Sequence, residues 1–526
     1  MTSHSIKKLI AFSFLSALPF FAIAQKPNWQ NLDLKTDTTF GISTEKAYKE
    51  LLKGKKSTPV LVAVLDGGVD LNHEDLKRVI WTNKKEVAGN GIDDDKNGYK
   101  DDLHGWNFLG GPTGSIEHET LELTRLVRRD NIRFAGLTAE TVPAKDKADY
   151  DAFIKNRTKF EQNLVTARSN YAGVSGFKSA LDPVIKKIGK ENPTLSDLEG
   201  FQPQGERETR VKEALKDILK DMDFKTFYET QILEGVKYYG DQINFNYNVD
   251  FDPRNIVGDN PNDVKEHFYG NNDIKGPDAL HGSHVAGIIG GDRTNSLGIK
   301  GVADNVLIMG VRNTPNGDER DKDVANAIRY ATDNGAKVIN MSFGKSYSPD
   351  KSVVDEAVKY AVSKDVLLVQ AAGNDNADID IAPNFPSRRY LSGEVASSYI
   401  TVGASGFVDD ETLKAEFSNF GKTNVDVFAP GVNINSTVPE NNYKLENGTS
   451  MAAPVVTGLA ALIRSYYPKL TAVQVKEIIL KSVVKVNHTI TYLKDGSPVS
   501  VPFSDICVTG GIVNAYNALK LAASYK

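Results

Sequence analysis

Three polar residues stand where short motifs meet apolar runs, and their types suit one chemistry. Asp66 closes an apolar run in VLDGGVD, His281 lies in LHGSHVAGIIGG, and Ser450 sits in NGTSMAAPVVTGLAALI, where a long apolar helix begins. Each alone has an ordinary reading. An acid after a strand can form a turn or a cap, a histidine among small residues can be structural, and a serine before a helix is most often an N-cap. Together they form a relay: the carboxylate orients the imidazole, the imidazole takes the hydroxyl proton, and the oxygen attacks a carbonyl.

A second local signal is the acidic stretch NGIDDDKNGYKDD at 90–102. Asp93, Asp95, Asn97, the Tyr99 carbonyl and Asp101 fall at positions one, three, five, seven and nine of a calcium loop, with Gly98 at the sharp turn. Position twelve is His104 instead of a bidentate glutamate, so this is no EF-hand, and Asp102 or a distant group has to complete the shell. A structural calcium ion is the expected cofactor, with no organic cofactor. Asp252, Asp259 and Asp263 are a weaker second candidate set. His118-Glu119 lacks the second histidine of a zinc protease motif, since position 122 is Glu. His284 is expected to pack rather than react.

The elements that must position these residues follow from the apolar runs at 59–65, 306–311, 336–341 and 366–371, with shorter ones at 400–402 and 425–428. Such runs suit strands buried on both faces of a parallel sheet. Helical patterns alternate with them, at 322–334 closed by Gly335 and at 352–363. The expected fold is a doubly wound α/β layer structure, mostly parallel, with ligands at the carboxyl ends of the strands. Residues 117–239 carry many charges and no strand pattern. Within them, Val211, Leu215, Ile218, Leu219 and Met222 mark one helical face, and Tyr150, Phe153, Ile154, Phe160 and Leu164 do much the same. A helical insertion therefore separates Asp66 from His281.

HGSHVAGII and GTSMAAPVVTG, with VLDGGVD, resemble the signatures of the subtilisin-like serine peptidases, the subtilases. The order Asp, His, Ser is theirs, and Ala452 breaks the G-x-S-x-G elbow of α/β-hydrolases. The resemblance covers about half the chain. It implies a subtilisin-type sheet and an endopeptidase whose catalytic residues are Asp66, His281 and Ser450. It also implies Asn374, in VQAAGNDN, as an oxyanion donor, and Ser342, Phe343 and Gly344 as a segment that pairs with extended substrate. It raises the expectation of calcium. Two departures stand out. Gly67 follows the aspartate where the family usually has Ser or Thr, and Ser283 stands where Thr is commoner. Only about 35 residues lie between the signal peptide and the first strand, too few for a folding pro-domain.

The expected organisation is a signal peptide at 1–24, an N-terminal segment at 25–58, a catalytic domain at 59–81 and 270–526, the acidic loop at 82–112, and the insertion at 113–269. Lys7 and Lys8 precede the apolar run 9–23, which ends in Ala22-Ile23-Ala24, the order of a secretory signal. Secretion or a periplasmic location follows, with no membrane span after its removal. The chain has 526 residues, 63 basic and 68 acidic, and a net charge of −5. That balance gives no footprint for nucleic acid. A single cysteine, Cys507, excludes an intramolecular disulfide. The expected partners are protein or peptide substrates. Two rival readings are a catalytically dead scaffold and a dedicated processing protease gated by the insertion.

Overall fold

The structure, a computed structural model, describes residues 26–494 and 496–525, so the expected signal peptide lies outside the described residues. They divide into two compact units, Leu123–Asp252 and residues 26–122 together with 253–525.

The larger unit is built on a nine-stranded sheet. Its strands are β1 (Val60–Asp66), β2 (Gly105–Asn107), β3 (Val306–Arg312), β4 (Val338–Met341), β5 (Leu367–Ala371), β6 (Tyr399–Ser405), β7 (Val427–Pro430), β8 (Val484–Lys485) and β9 (Gly511–Ile512). The spatial order is β8-β9-β7-β6-β5-β4-β1-β3-β2. Every pairing is parallel except the β8–β9 edge. The apolar runs became these strands because both of their faces are covered. Along β1, Val62 and Val64 join one core with Val285, Ile288, Val455 and Leu459, whereas Ala63 and Leu65 join another with Ile328, Ala357 and Val358. The helices α1 (Leu280–Gly290) and α4 (Thr449–Tyr466) thus cover one face, and α2 (Asp321–Asp333) and α3 (Lys351–Ser363) the other. Gly335, at φ +88°, follows α2 as expected.

The flanks of the expected insertion belong to the larger unit. Asn107 and Asn271 exchange backbone hydrogen bonds, Trp106 Nε1 donates to the Tyr269 carbonyl at 2.8 Å, and buried Arg254 pairs with Asp323. These contacts narrow the separate unit from 113–269 to Leu123–Asp252, and they keep the acidic loop with the sheet. The N-terminal segment is also part of the core: Trp29, Phe40, Ile42 and Leu52 are buried, and the Ala515 N–H donates to the Ile42 carbonyl.

The smaller unit is helical. Its helix Lys147–Ile188 has 42 residues and would span about 63 Å at 1.5 Å per residue. Phe153, Phe160, Ala167, Val174 and Leu181 recur every seventh position along it and are buried. Val174 and Leu181 pack with Val211 and Leu215 of the helix Gly205–Ile218. Met222 is exposed because that helix stops at Ile218, before Asp223 caps the next one. Ile154 also lies outside the buried stripe. Among the described residues, no helix is long and apolar enough to cross a membrane.

Candidate active site

The carboxyl ends of β1, β4 and β5 bring the sequence-predicted residues together. Asp66 is the last residue of β1 and is buried. His281 lies in the first turn of α1, and its Nδ1–H donates to Asp66 Oδ1 and Oδ2 at 2.8 and 3.0 Å. That bond assigns the tautomer and leaves Nε2 as the acceptor. The close approach needs Gly282, since a Cβ there would meet the Gly68 carbonyl oxygen at 2.2 Å and Asp66 Cβ at 3.0 Å. Burial pulls the His281 pKa down, but the charge and hydrogen bond of Asp66, helped by Glu446 and Asp278, hold it above the ordinary 6.5. The ring remains 44% exposed, open to a substrate.

Ser450 is the second residue of α4, so its backbone N–H has no partner one turn earlier in the helix. Its Oγ donates to the Ser342 carbonyl at 3.1 Å, and Ser342 Oγ donates back to the Ser450 carbonyl at 2.9 Å. Asn340 Nδ2 donates to Ser342 Oγ, and Thr457 Oγ1 donates to Asn340 Oδ1. Among the described residues, no hydrogen bond joins Ser450 Oγ to His281.

Asn374 follows β5 and is exposed. Its Oδ1 accepts from the Thr449 N–H and from Thr449 Oγ1, both at 2.9 Å. Those two donors fix which end of the amide is oxygen, and they turn Nδ2 outward as a free donor. Thr449 Oγ1 in turn accepts from the Gly373 N–H at 3.1 Å. Sequence reasoning passed over Thr449, although it stands beside Ser450 in NGTS.

Ser342, Phe343 and Gly344 continue from β4. A Cβ on Gly344 would lie 3.2 Å from Asn384 Oδ1 and from the Phe385 carbonyl oxygen, so the bare glycine keeps the segment close to its neighbours. Lys345 ends the open edge, because its N–H and carbonyl are both bonded to Phe385. Its buried ammonium pairs with Glu122 and Asp321 at 2.9 Å and donates to the Glu319 carbonyl. A lysine four residues past the end of an apolar strand was the available signal for this cluster.

The acidic loop is held by its own side-chain-to-backbone hydrogen bonds. Asp93 accepts from the Asn97 and Gly98 N–H groups, Asp101 accepts from the Asn90 and Gly91 N–H groups, and both therefore hold turns. Tyr99 N–H donates to Asn97 Oδ1. The carboxylates that converge, within 4.8 Å of one another, are Glu86, Asp95 and Asp102. Glu86 escaped the sequence because it lies before the repeat of alternating oxygens. Among the described residues no lysine or arginine neutralises the three, which accept only from neutral groups such as Asn83, Asn97 and Tyr330. Burial pushes Asp102 up to about 6, with Asp95 adding to the rise. Hard oxygen donors, crowded and short of positive charge, fit a divalent cation. The second set does not assemble. Asp259 is buried between Arg254 and Lys322, Asp252 pairs with Arg128, and Asp263 caps its own turn.

His284 Nε2 lies 3.0 Å from the carbonyls of Ile434 and Lys444, and burial lowers its pKa to about 4. It is a neutral packing residue. Cys507 is a buried free thiol.

Residues 57–498 match the model of the Subtilase family. A thermophilic serine proteinase from a Bacillus species is 38% identical over 240 residues, 45% of this chain and 52% of that protein. A thermostable alkaline protease from Halalkalibacterium halodurans is 38% identical over 219 residues, 41% of this chain and 54% of that protein. The chain spans about half the length of these curated relatives. A solved protease chain from Pseudoalteromonas arctica aligns at 27% identity over 48% of this chain and 78% of that one, with a TM-score of 0.39.

Proposed function

Because the chain belongs to the subtilase family, we propose that it is an exported serine endopeptidase that cleaves peptide bonds through an acyl-enzyme. The observation that carries this reading is the His281 Nδ1–Asp66 bond, held beside Ser450 and an Asn374 whose Nδ2 is free to donate. In the mechanism, His281 Nε2 takes the Ser450 Oγ proton as the oxygen attacks the substrate carbonyl. Asp66 stabilises the imidazolium that forms. The developing oxyanion is met by Asn374 Nδ2 and the Ser450 N–H. His281 then gives its proton to the leaving amine, and water repeats the sequence to release the acyl group. Gly344 would pair with the extended substrate backbone before the Lys345–Phe385 bridge closes the edge.

Glu86, Asp95 and Asp102 would hold calcium, whose charge would offset the crowding of carboxylates in the acidic loop. This role is structural.

The test is degradation of unfolded casein by residues 25–526 purified with calcium. Cleavage that disappears in Ser450→Ala supports the reading. Equal cleavage by that variant, or cleavage of neither casein nor any folded protein by the folded parent, refutes it. Should casein resist while one folded protein is cut at a single site, the dedicated processing protease becomes the better description.

A further inference from the structure

β1 and β3 end side by side, with Asp66 and Arg312 as register partners. Arg312 is 1% exposed, and its guanidinium spends its donors on three separate segments. Nε donates to the Gly67 carbonyl at 2.6 Å, Nη1 to Asn107 Oδ1 at 3.2 Å, and Nη2 to the Ile116 carbonyl. Gly276 makes room for it, since a Cβ there would lie 2.3 Å from Nε. Among the described residues no carboxylate forms an ion pair with Arg312. Burial lowers its pKa to about 10, so it stays charged at neutral pH. A buried cation with only neutral acceptors is costly, and its location suggests what it does. Gly67, whose carbonyl it grips, gives its own N–H to Asp66 Oδ1 at 2.7 Å. A glycine directly after the acid has the most backbone freedom of any residue and no side chain to steady the carboxylate. The next residues, Asn313 and Thr314, donate their N–H groups to the Asp66 carbonyl at 3.1 and 3.3 Å.

We propose that Arg312 is a positioning residue for the Asp66–His281 pair, acting through Gly67. The fork holds Gly67, Gly67 holds the Asp66 carboxylate, and the carboxylate holds His281 Nδ1. A lysine has the charge but not the planar fork that reaches three acceptors at once. The inference rests on the peptidase reading for its kinetic consequence, but the clamp itself has a readout that needs no turnover.

Two variants test it. Arg312→Lys keeps the charge and loses the fork, and Gly276→Ala crowds the guanidinium from outside. The first measurement is proton NMR of the hydrogen-bonded His281 Nδ1–H, assigned by its loss in Asp66→Asn. Both variants are expected to shift or broaden that resonance. The second is kcat per active site titrated with a fluorophosphonate, expected to fall about 10- to 100-fold with KM within about twofold, as for a displaced catalytic group. An unshifted resonance and a parental kcat in either folded variant overturn the proposal. A parent that shows the resonance but binds no probe refutes the peptidase reading instead, and the clamp is then judged on the resonance alone.

Discussion

Thr449→Val is the perturbation that most sharply separates holding Asn374 from merely filling space. The Thr449 side chain is fully buried, and valine keeps its shape while deleting one of the two bonds that anchor Asn374 Oδ1. It also leaves the Gly373 N–H without its acceptor. Stranding that donor should cost about 1–3 kcal/mol of stability, nearer the lower end because Gly373 is only half-buried. The main-chain bond from Thr449 to Asn374 survives. The loss in transition-state stabilisation is therefore one net hydrogen bond, about 0.5–1.5 kcal/mol. At 1.36 kcal/mol per tenfold in rate, that is roughly a 2- to 13-fold fall in kcat. Asn374→Ala removes the donor outright, and loss of such a donor in a subtilisin costs about 10²–10³ in kcat. Thr449→Ser keeps the hydroxyl and should stay near the parent. The assay is steady-state hydrolysis of a chromogenic peptide, normalised to titrated active sites, with thermal melts alongside. A Thr449→Val enzyme that melts lower but keeps the parental kcat would refute the reasoning, as would a change confined to KM.

Chelator should lower the melting temperature and added calcium should restore it, and Glu86→Gln should blunt the response because one converging carboxylate is lost. A melt indifferent to chelator, with no metal found by elemental analysis, removes the calcium claim. The base form of His281 is the neutral one, and Asp66 favours the charged one, so the acid limb of kcat/KM should lie above the ordinary imidazole value of 6.5. Asp66→Asn should move that limb to lower pH, and an unmoved limb contradicts the pairing. Trp29 is buried, donates Nε1 to the Val432 carbonyl at 3.2 Å and meets Phe407 edge-on, so Trp29→Ala should cost about 3–5 kcal/mol in urea unfolding. A loss below about 1 kcal/mol would show that 25–58 is not part of the folded core.

Where a residue's role was set by a local pattern, the sequence made it legible. The runs ending at Asp66, Met341 and Ala371 are strands because parallel sheets buried on both faces leave near-continuous apolar stretches. Asn374 and Ser450 were singled out through motifs whose neighbours resemble a known family. Arg312 and Lys345 were not found, since each acts on groups far along the chain, and Glu86 was not found because it lies before the run of alternating oxygens. Arg312 reaches Gly67 across 245 residues, and Lys345 reaches Glu122 across 223. The acidic loop was legible in part. Asp95 and Asp102, both named from the sequence, join the converging set, whereas Asp93 and Asp101 accept from backbone N–H groups. In the insertion, the apolar period ran past Ile218 because periodicity cannot see the cap at Asp223.

The central claim is that Ser450 is a nucleophile activated by His281 and Asp66. Its most direct test is fluorophosphonate labelling of residues 25–526 in the presence of calcium, with the modified peptide sequenced by mass spectrometry. The account predicts one adduct, on Ser450, absent from Ser450→Ala and strongly slowed in His281→Ala and Asp66→Asn. A folded parent that takes up no probe, or an adduct on any other serine, would contradict it.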